Sequence, residues 1–598
     1  MRTVLCATGL LALFLVASPS PAGQIEAYPI PASAEVSVGA NSKGVKGPPV
    51  PGPGERSVVV VAPRNGVANA QILLKARGGA VTTRVTVSDL RRPGGAAIPA
   101  EAVRVRYGQY ITGEKNLSVY RWQKDIGISA NAAEDKAAAY GISRGLWHID
   151  CLLPTPQCEV EEDLPRCAWL TFQVARDAAP GAYKGTAAVA GLDALIPIEL
   201  EVVDAVVPDP ARSAMTNDIR SMWEVIALGN GIPLEECWKS EKFWKVTAAY
   251  LEKLGQLRMS SCGIAVVAPS TTSSLGMVQW TRKGDRWSWD YAVLDRFIET
   301  YRKAVGEPRV LDATAFSQDE HKVGLSIIYT DADTGKPAFV QMGDDDETAA
   351  LAVAFLKDLT AHLATLKLEK KLALGIWHDK MGHTGGKIRE RLLAECPDLK
   401  LSLWAHNDGW GMSWKNHVGL YMSKCPTEKP VTNKVYVDQD VSYPIQMGMR
   451  RAFENPTAFG PIIWDCVVRR HAGMGQVDFS NWSAERRAKE YTYFGAGMFT
   501  SWQRQLVYPM VDDQVTTGVL YELFREYSQD FELIRLMQAK DVKTGFMADP
   551  RATLNTVSRI DRTGRCILNP GTDPAAVDRM HHDILHQAGA AKIRPEGQ

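Results

Sequence analysis

Apolar and polar residues alternate in short runs along the first third of the chain. The runs are RSVVVVAP, NAQILLKARG, VTTRVTVSDL, AVRVRYGQYI, AWLTFQVARD, YKGTAAVAG and LIPIELEVVD. Alternation without a helical period, bounded by Gly, Pro and Asn, predicts short strands. Strands in this number predict a β-sandwich. PDPARS, from Pro208 to Ser213, marks its border. Beyond it the period changes. DYAVLDRFIETYRKAV puts Tyr291, Leu294, Phe297, Ile298, Tyr301 and Val305 on one helical face, and DETAALAVAFLKDLTAHLATL does the same with Phe355, Leu356, Leu359, Leu363 and Leu366. Between such helices lie apolar runs that each end in polar residues: CGIAVVAPS, RVLDATAFSQDEH, LALGIWHDK, LKLSLWAHND, KVYVDQD, GPIIWDCVV and GAGMFTSWQ, preceded by the weaker MTNDIRSMW. Eight strand-like pieces separated mainly by helices predict a (β/α)₈ barrel. VLYELFREYSQDFELIRLM opens a small C-terminal helical region, and the chain from about Asp549 reads as polar and irregular. The predicted organisation is a signal peptide over 1–22, a Pro/Gly-rich arm over 23–56, the sandwich over 57–208, the barrel over 209–505 and the C-terminal region over 506–598.

A barrel of this kind carries function at the C-terminal ends of its strands. The expected ends hold Asp319 and Glu320; His378, Asp379 and Lys380; His406, Asn407 and Asp408; Asp438 and Asp440; Asp465; and Ser501, Trp502 and Gln503. Trp377, Trp404, Trp464 and Trp502 stand beside them. Carboxylates interleaved with aromatic rings on one rim suit glycoside cleavage. One acid protonates the leaving oxygen, a second carboxylate supports the cationic transition state, and rings stack on the sugar. Asp379, Glu320 and Asp465 are the candidate catalytic groups. Trp377, His378, Lys380, Trp404, His406, Asn407, Asp438, Trp464 and Trp502 are the candidate carbohydrate ligands.

Composition narrows the partners. Lys plus Arg and Asp plus Glu are equal at 68 each, which argues against nucleic acid or an anionic membrane surface. Sixteen tryptophans are an unusual number; each is a core residue first, but in a secreted protein a surplus also suits stacking on sugar faces. MRTVLCATGLLALFLVASPSPAGQ reads as a secretory signal cleaved after Ala22, so the expected location is secreted or periplasmic. Cys151, Cys158 and Cys167 are near enough in sequence for one local disulfide. His378, Asp379 and His383 contain metal-ligating atoms, but no second ligand group accompanies them, so neither a metal nor another cofactor is expected. Nothing in the sequence sets an oligomeric state.

Several segments together resemble glycoside hydrolase family 123 and the related bacterial secreted family of unknown function. They are VTVSDLRRPGGAAIPAEAVRVRYGQYI, VARDAAPGAYKGTAAV, DYAVLDRFIETYRKA, ALGIWHDK followed by AECPDLKLSL, and VYPMVDDQ with LYELFREYSQDFELIRLM. The likeness runs from about Asn65 to about Met537. It implies a β-sandwich, a (β/α)₈ barrel and a small C-terminal region. It also implies exo-acting β-N-acetylgalactosaminidase chemistry in which the substrate's acetamido oxygen attacks. In that family an adjacent Asp-Glu pair after the fourth strand orients the acetamido group and serves as general acid and base. Here the pair aligns with Asp379 and Lys380. A lysine with the usual pKa of about 10.4 is a poor acid toward a glycosidic oxygen and cannot accept a proton at neutral pH. Three readings stay open. The acid has moved to Glu320 or Asp465; the barrel binds glycans without cutting them; or Lys380 with His378 or His383 runs a lyase-type reaction on an acidic sugar.

Overall fold

The computed structural model describes residues 23–39, 56–112, 146–162, 164–215, 219–220, 223, 226–227, 230–259, 261–268, 275–315, 317–319, 322–377, 386–405, 417–421, 456–469, 473, 477–478, 506–510, 514–560 and 566–595. The first part holds two six-stranded sheets. Its main strands are β1 (Gln24–Ile30), β2 (Ser37–Gly39), β3 (Val58–Arg64), β4 (Gly66–Arg77), β5 (Val103–Thr112), β6 (Leu146–Leu153), β7 (Arg166–Val174), β8 (Gly181–Val189) and β9 (Ile196–Val206). One sheet runs β1-β4-β7-β5-β6-β2; the other begins β3-β9-β8 and is completed by short strands at 85–87, 90–91 and 97–98. The expected arm is therefore sheet over part of its length. β1 pairs antiparallel with β4, and β2 with β6. Its Pro and Gly content concealed this, because two short edge strands take their stability from the sheet they join rather than from local pattern.

β9 shows why the alternation was legible. Ile196, Ile198, Leu200 and Val202 are buried while Pro197, Glu199 and Glu201 face out. β7 is different, with nearly every residue buried. Ala168, Leu170 and Phe172 fill the core between the two sheets, while Cys167 and Trp169 belong to a second core shared with the rest of the molecule. A sheet covered on both faces loses its polar face, and here that covered face is what docks the later domain.

The second part begins with helix α1 (Glu241–Gln256) and continues β10 (Ser261–Ala265), α2 (Ala292–Ala304), β11 (Val310–Thr314), α3 (Asp346–Thr365), β12 (Leu372–Trp377), α4 (Lys387–Glu395), β13 (Lys400–Ala405) and β14 (His417–Tyr421). The five strands form one parallel sheet in chain order. Its helices bury the predicted faces: Leu294, Phe297, Ile298 and Tyr301 on α2, and Phe355, Leu356, Leu359 and Leu363 on α3. Ser240 and Asp345 cap α1 and α3 by accepting from the backbone N–H three residues on. Separately, Ile219–Arg220 pairs parallel with Val477–Asp478. β14 was not expected from the sequence, and the KVYVDQD and GAGMFTSWQ runs lie outside the described residues.

Two expectations fail outright. GPIIWDCVV is not a strand but helix α5 (Phe459–Val468), buried on every side. A short apolar run bounded by Gly and Pro fits a buried helix as well as a buried strand, and its periodicity cannot separate them. Nor is the C-terminus irregular. After α6 (Val519–Ala539) come α7 (Pro550–Leu554), a hairpin of 558–560 with 566–568, and α8 (Pro574–Ala590). Asp549 and Asp573 cap α7 and α8, each followed by Pro at the first helical position, a start signal that was present in the sequence. The suggested disulfide is absent: Cys151, Cys158 and Cys167 are all free thiols. Among the described residues no helix is long and apolar enough to cross a membrane.

Candidate active site

The C-terminal edge of the parallel sheet is where the expected chemistry should gather. Register brings Thr314 beside Gly375, Trp377 beside Trp404, and Ala405 beside Tyr421. β12 thus ends on the residue before His378-Asp379-Lys380, and β13 ends on the residue before His406-Asn407. Trp377 and Trp404 are strand neighbours. His378, Asp379, Lys380, His406, Asn407, Asp438, Trp502 and Glu320 themselves lie outside the described residues.

The chain leaving β10 and β11 builds something that alternation at Trp287 and Trp289 could have revealed. Gln279–Lys283 and Arg286–Asp290 form a hairpin, turned at Gly284 with φ +55°. It pairs with Lys322–Asp331, which in turn pairs with Lys336–Met342 and with Ser317–Asp319. Two connections that follow consecutive parallel strands therefore combine into one small sheet. It is tied to the end of β10: Met277 N–H donates to Ala265 O at 2.7 Å, Ile328 N–H to Ala268 O at 2.8 Å, and Trp280 Nε1 to Val266 O at 3.1 Å. Trp280 packs on Phe355 at 4.5 Å and edge-on to Trp287 and Trp289 at 5.8 and 5.6 Å. Part of the tryptophan surplus is thus core beneath this sheet. Asp319 pairs with Lys322 in this element.

Asp465 and Trp464 do not stand at a strand end. Asp465 is buried in α5, and its Oδ1 accepts from Arg469 Nε at 3.1 Å and from Arg551 Nη1 of α7 at 2.7 Å. Trp464 is fully buried, donates Nε1–H to Asp530 Oδ2 at 2.8 Å and meets Tyr527 edge-on at 5.6 Å. Both residues join α5 to the C-terminal helices, the carboxylate as an anchor and the indole as packing. Their helix replaces the strand that made them rim candidates.

Among the described carboxylates and histidines, the strongly perturbed groups lie elsewhere, on α6 and α8. Burial opposes the charge on Glu522, but Arg106, Arg525 and Arg104 outweigh it and hold the carboxyl down at about 2. Burial also disfavours charge on His581, and Asp530 with Glu526 overcome that and raise it. Asn69 of β4 shows how the sequence makes this joint. Its Nδ2 donates to Glu526 Oε2 at 2.8 Å, while its Oδ1 accepts from Trp169 at 3.0 Å and Thr171 at 2.8 Å. Asn69 on β4 and Arg104 and Arg106 on β5 meet the buried carboxylates Glu526 and Glu522 on α6, so these shifts belong to domain docking.

The comparisons show that the chain is a glycoside hydrolase. Residues 46–191 match the model of the glycoside hydrolase 123 N-terminal domain, and residues 235–392 match that of the glycoside hydrolase 123 catalytic domain. Together these span half of the chain, which belongs to glycoside hydrolase family 123. A solved structure of a family 123 glycoside hydrolase from Clostridium perfringens, described for glycolipid glycan hydrolysis, shares the fold. Its TM-score is 0.68 at 12% identity, over 95% of this chain and 98% of that one. A structure named BspA_C_mut aligns at a TM-score of 0.08 and 14% identity, over 27% of this chain and 53% of its own, which is no likeness of fold. No curated protein matches the chain.

Proposed function

We propose that this protein is a secreted glycoside hydrolase that cleaves glycans of glycoconjugates at the C-terminal rim of a closed (β/α)₈ barrel. The observation that carries the reading is the catalytic-domain match over 235–392, which takes in both Glu320 and Asp379. Closure is supported by the sequential parallel order of β10 to β14 and by the pairing of Ile219–Arg220 with Val477–Asp478 more than 250 residues later. Asp379 supports the developing positive charge at the sugar. Glu320, which follows β11 in the sequence, donates the proton that Lys380 is poorly suited to give. Trp377 and Trp404, neighbours in register, offer rings to the sugar. Lys380 then serves as a cationic ligand for the substrate or for a rim carboxylate. The glycolipid glycan of the Clostridium enzyme is the first substrate class to try.

The alternative of a non-catalytic glycan binder is favoured by one feature, the lysine at the family's acid position. A panel of aryl glycosides and glycolipid glycans separates the two. Hydrolysis that Glu320→Gln abolishes for unactivated substrates, yet spares in part for aryl glycosides with good leaving groups, identifies Glu320 as the acid. Glycan binding with no turnover on any member supports the binder.

A further inference from the structure

Where the sandwich, α1 and α6 meet, a cleft of about 220 Å³ opens to solvent. Asn65, Gln173, Gln256, Arg258, Arg525 and Gln529 supply its polar side chains, and no carboxylate lines it. Arg258 is only 4% exposed; its Nη1 donates to Pro208 O at 3.3 Å, and its Nε finds no hydrogen-bond partner. Arg525 leans on Glu522 at 3.8 Å, but that carboxylate already holds Arg106 at 2.8 Å and Arg104 at 3.1 Å. The other acids in reach are also engaged. Glu532 accepts from Met215 N–H at 2.7 Å and from Ser213 Oγ, and Asp209 accepts from Asn65 at 2.9 Å and Arg176 at 2.7 Å. Glu532 and Asp209 partly offset the charge of Arg258 from outside the cleft, but the lining itself sets two guanidinium groups at a concave, polar space with no carboxylate facing them.

The walls are fixed. Gln529 accepts from Val67 N–H at 2.6 Å and donates to Val67 O at 2.8 Å. A Cβ on Gly66 would collide with that Gln529 amide and with Pro63 Cγ at 2.7 Å, so the strand start must be glycine for the side chain to lie there. We propose that this cleft binds a small tetrahedral oxyanion, a sulfate or phosphate group either free or carried on a sugar, with Arg258 and Arg525 as its charged ligands. Guanidinium groups suit the oxygens of such anions, and two of them line this cleft together with the side-chain amides of Gln173 and Gln256. None of the residues lining it is among those assigned to hydrolysis, and the proposal does not depend on that assignment.

Isothermal titration of the full chain at constant ionic strength tests this, with sodium sulfate, sodium phosphate, galactose 6-sulfate and galactose as titrants. One-site binding of an oxyanion with Kd below about 1 mM is expected, and Arg525→Gln should weaken it at least about tenfold. Gln256→Glu, which keeps both arginines but places a carboxylate in the cleft, should abolish it. Lys184→Gln, on the far sheet, should leave it unchanged. Tighter binding of galactose 6-sulfate than of sulfate marks a glycan-borne group; equal or weaker binding marks the free ion. Absence of binding by every anion, or binding indifferent to both Arg525→Gln and Gln256→Glu, overturns the proposal.

Discussion

Replacing Glu522 with Gln should loosen the joint between sandwich and C-terminal helices, by an amount that depends on pH. Glu522 is fully buried on α6 and gathers Arg106 at 2.8 Å, Arg104 at 3.1 Å and Arg525 at 3.8 Å, with Thr517 Oγ1 donating at 2.7 Å. Its carboxyl is held at about 2 against an ordinary 4.5. A depression of that size corresponds to about 3 kcal/mol of stability at neutral pH. Removing one partner of a buried pair costs about 3–5 kcal/mol in comparable cases. The sign follows from the direction of the shift. A lowered folded pKa contributes stability that is present above the unfolded value and is lost as pH falls through about 2. Urea unfolding of wild type and Glu522→Gln at pH 7, 5, 4 and 3 should show a gap of about 3 kcal/mol at pH 7 that narrows steadily below pH 4.5. A gap that stays constant with pH would refute the assignment of that stability to the carboxylate charge, and no gap at all would refute the pairing.

Three further outcomes follow from the same joint. His581 is raised above its ordinary value, a contribution present below about pH 6.5 and lost as pH climbs through the folded value. The groups facing it are Glu526, Asp530, Asp578 and His582. Burial pushes Asp578 up to about 7, which removes stability as pH rises toward 7, and pushes His582 down to about 3, which adds stability over much of that range. These two oppose each other in acid, so the Tm should fall above pH 7 through His581, and His581→Gln should flatten that fall; a wild-type Tm that rises from pH 7 to 9 contradicts this. Arg551→Ala should cost about 1–3 kcal/mol in urea unfolding and leave hydrolysis intact, because Asp465 anchors α5 to α7; lost hydrolysis with unchanged stability would return Asp465 to the chemistry. Trp464→Phe should cost about 1.5–3 kcal/mol by leaving Asp530 without its indole donor, and a stability equal to wild type would contradict that bond.

Much of the architecture was legible because each element carried its own period. β9 alternates down to single residues, and of the six residues the spacing selected α2 buries four, with Tyr291 and Val305 buried just beyond its ends. What stayed hidden was decided by tertiary context. β4 and β7 are covered on both faces, so the place of their polar residues could not be read from pattern: Asn69 finds its partner in Glu526 of α6, and Thr171 finds its own in Asn69 and in Arg106 of β5. Apart from Asp465, α5 is apolar all round, so its length and its Pro461 were the clues against a strand. The hairpin at Gly284 was marked by Trp287-Ser288-Trp289, a period-two signal set against a stretch being read for helices. The rim candidates divide along the same line. Trp377 and Trp404 follow β-type runs that do become parallel neighbours, whereas Trp464 and Asp465 depended on a strand that is a helix.

The most direct test of hydrolysis centred on the end of β12 is the kcat/KM of Asp379→Asn on the best wild-type substrate from the glycoside panel, measured beside Lys380→Ala. Removing the negative charge that supports the developing cation should lower kcat/KM by about 10²–10³. Lys380→Ala should act chiefly through KM. An Asp379→Asn enzyme that cleaves that substrate at the wild-type rate would place the chemistry somewhere else in the molecule.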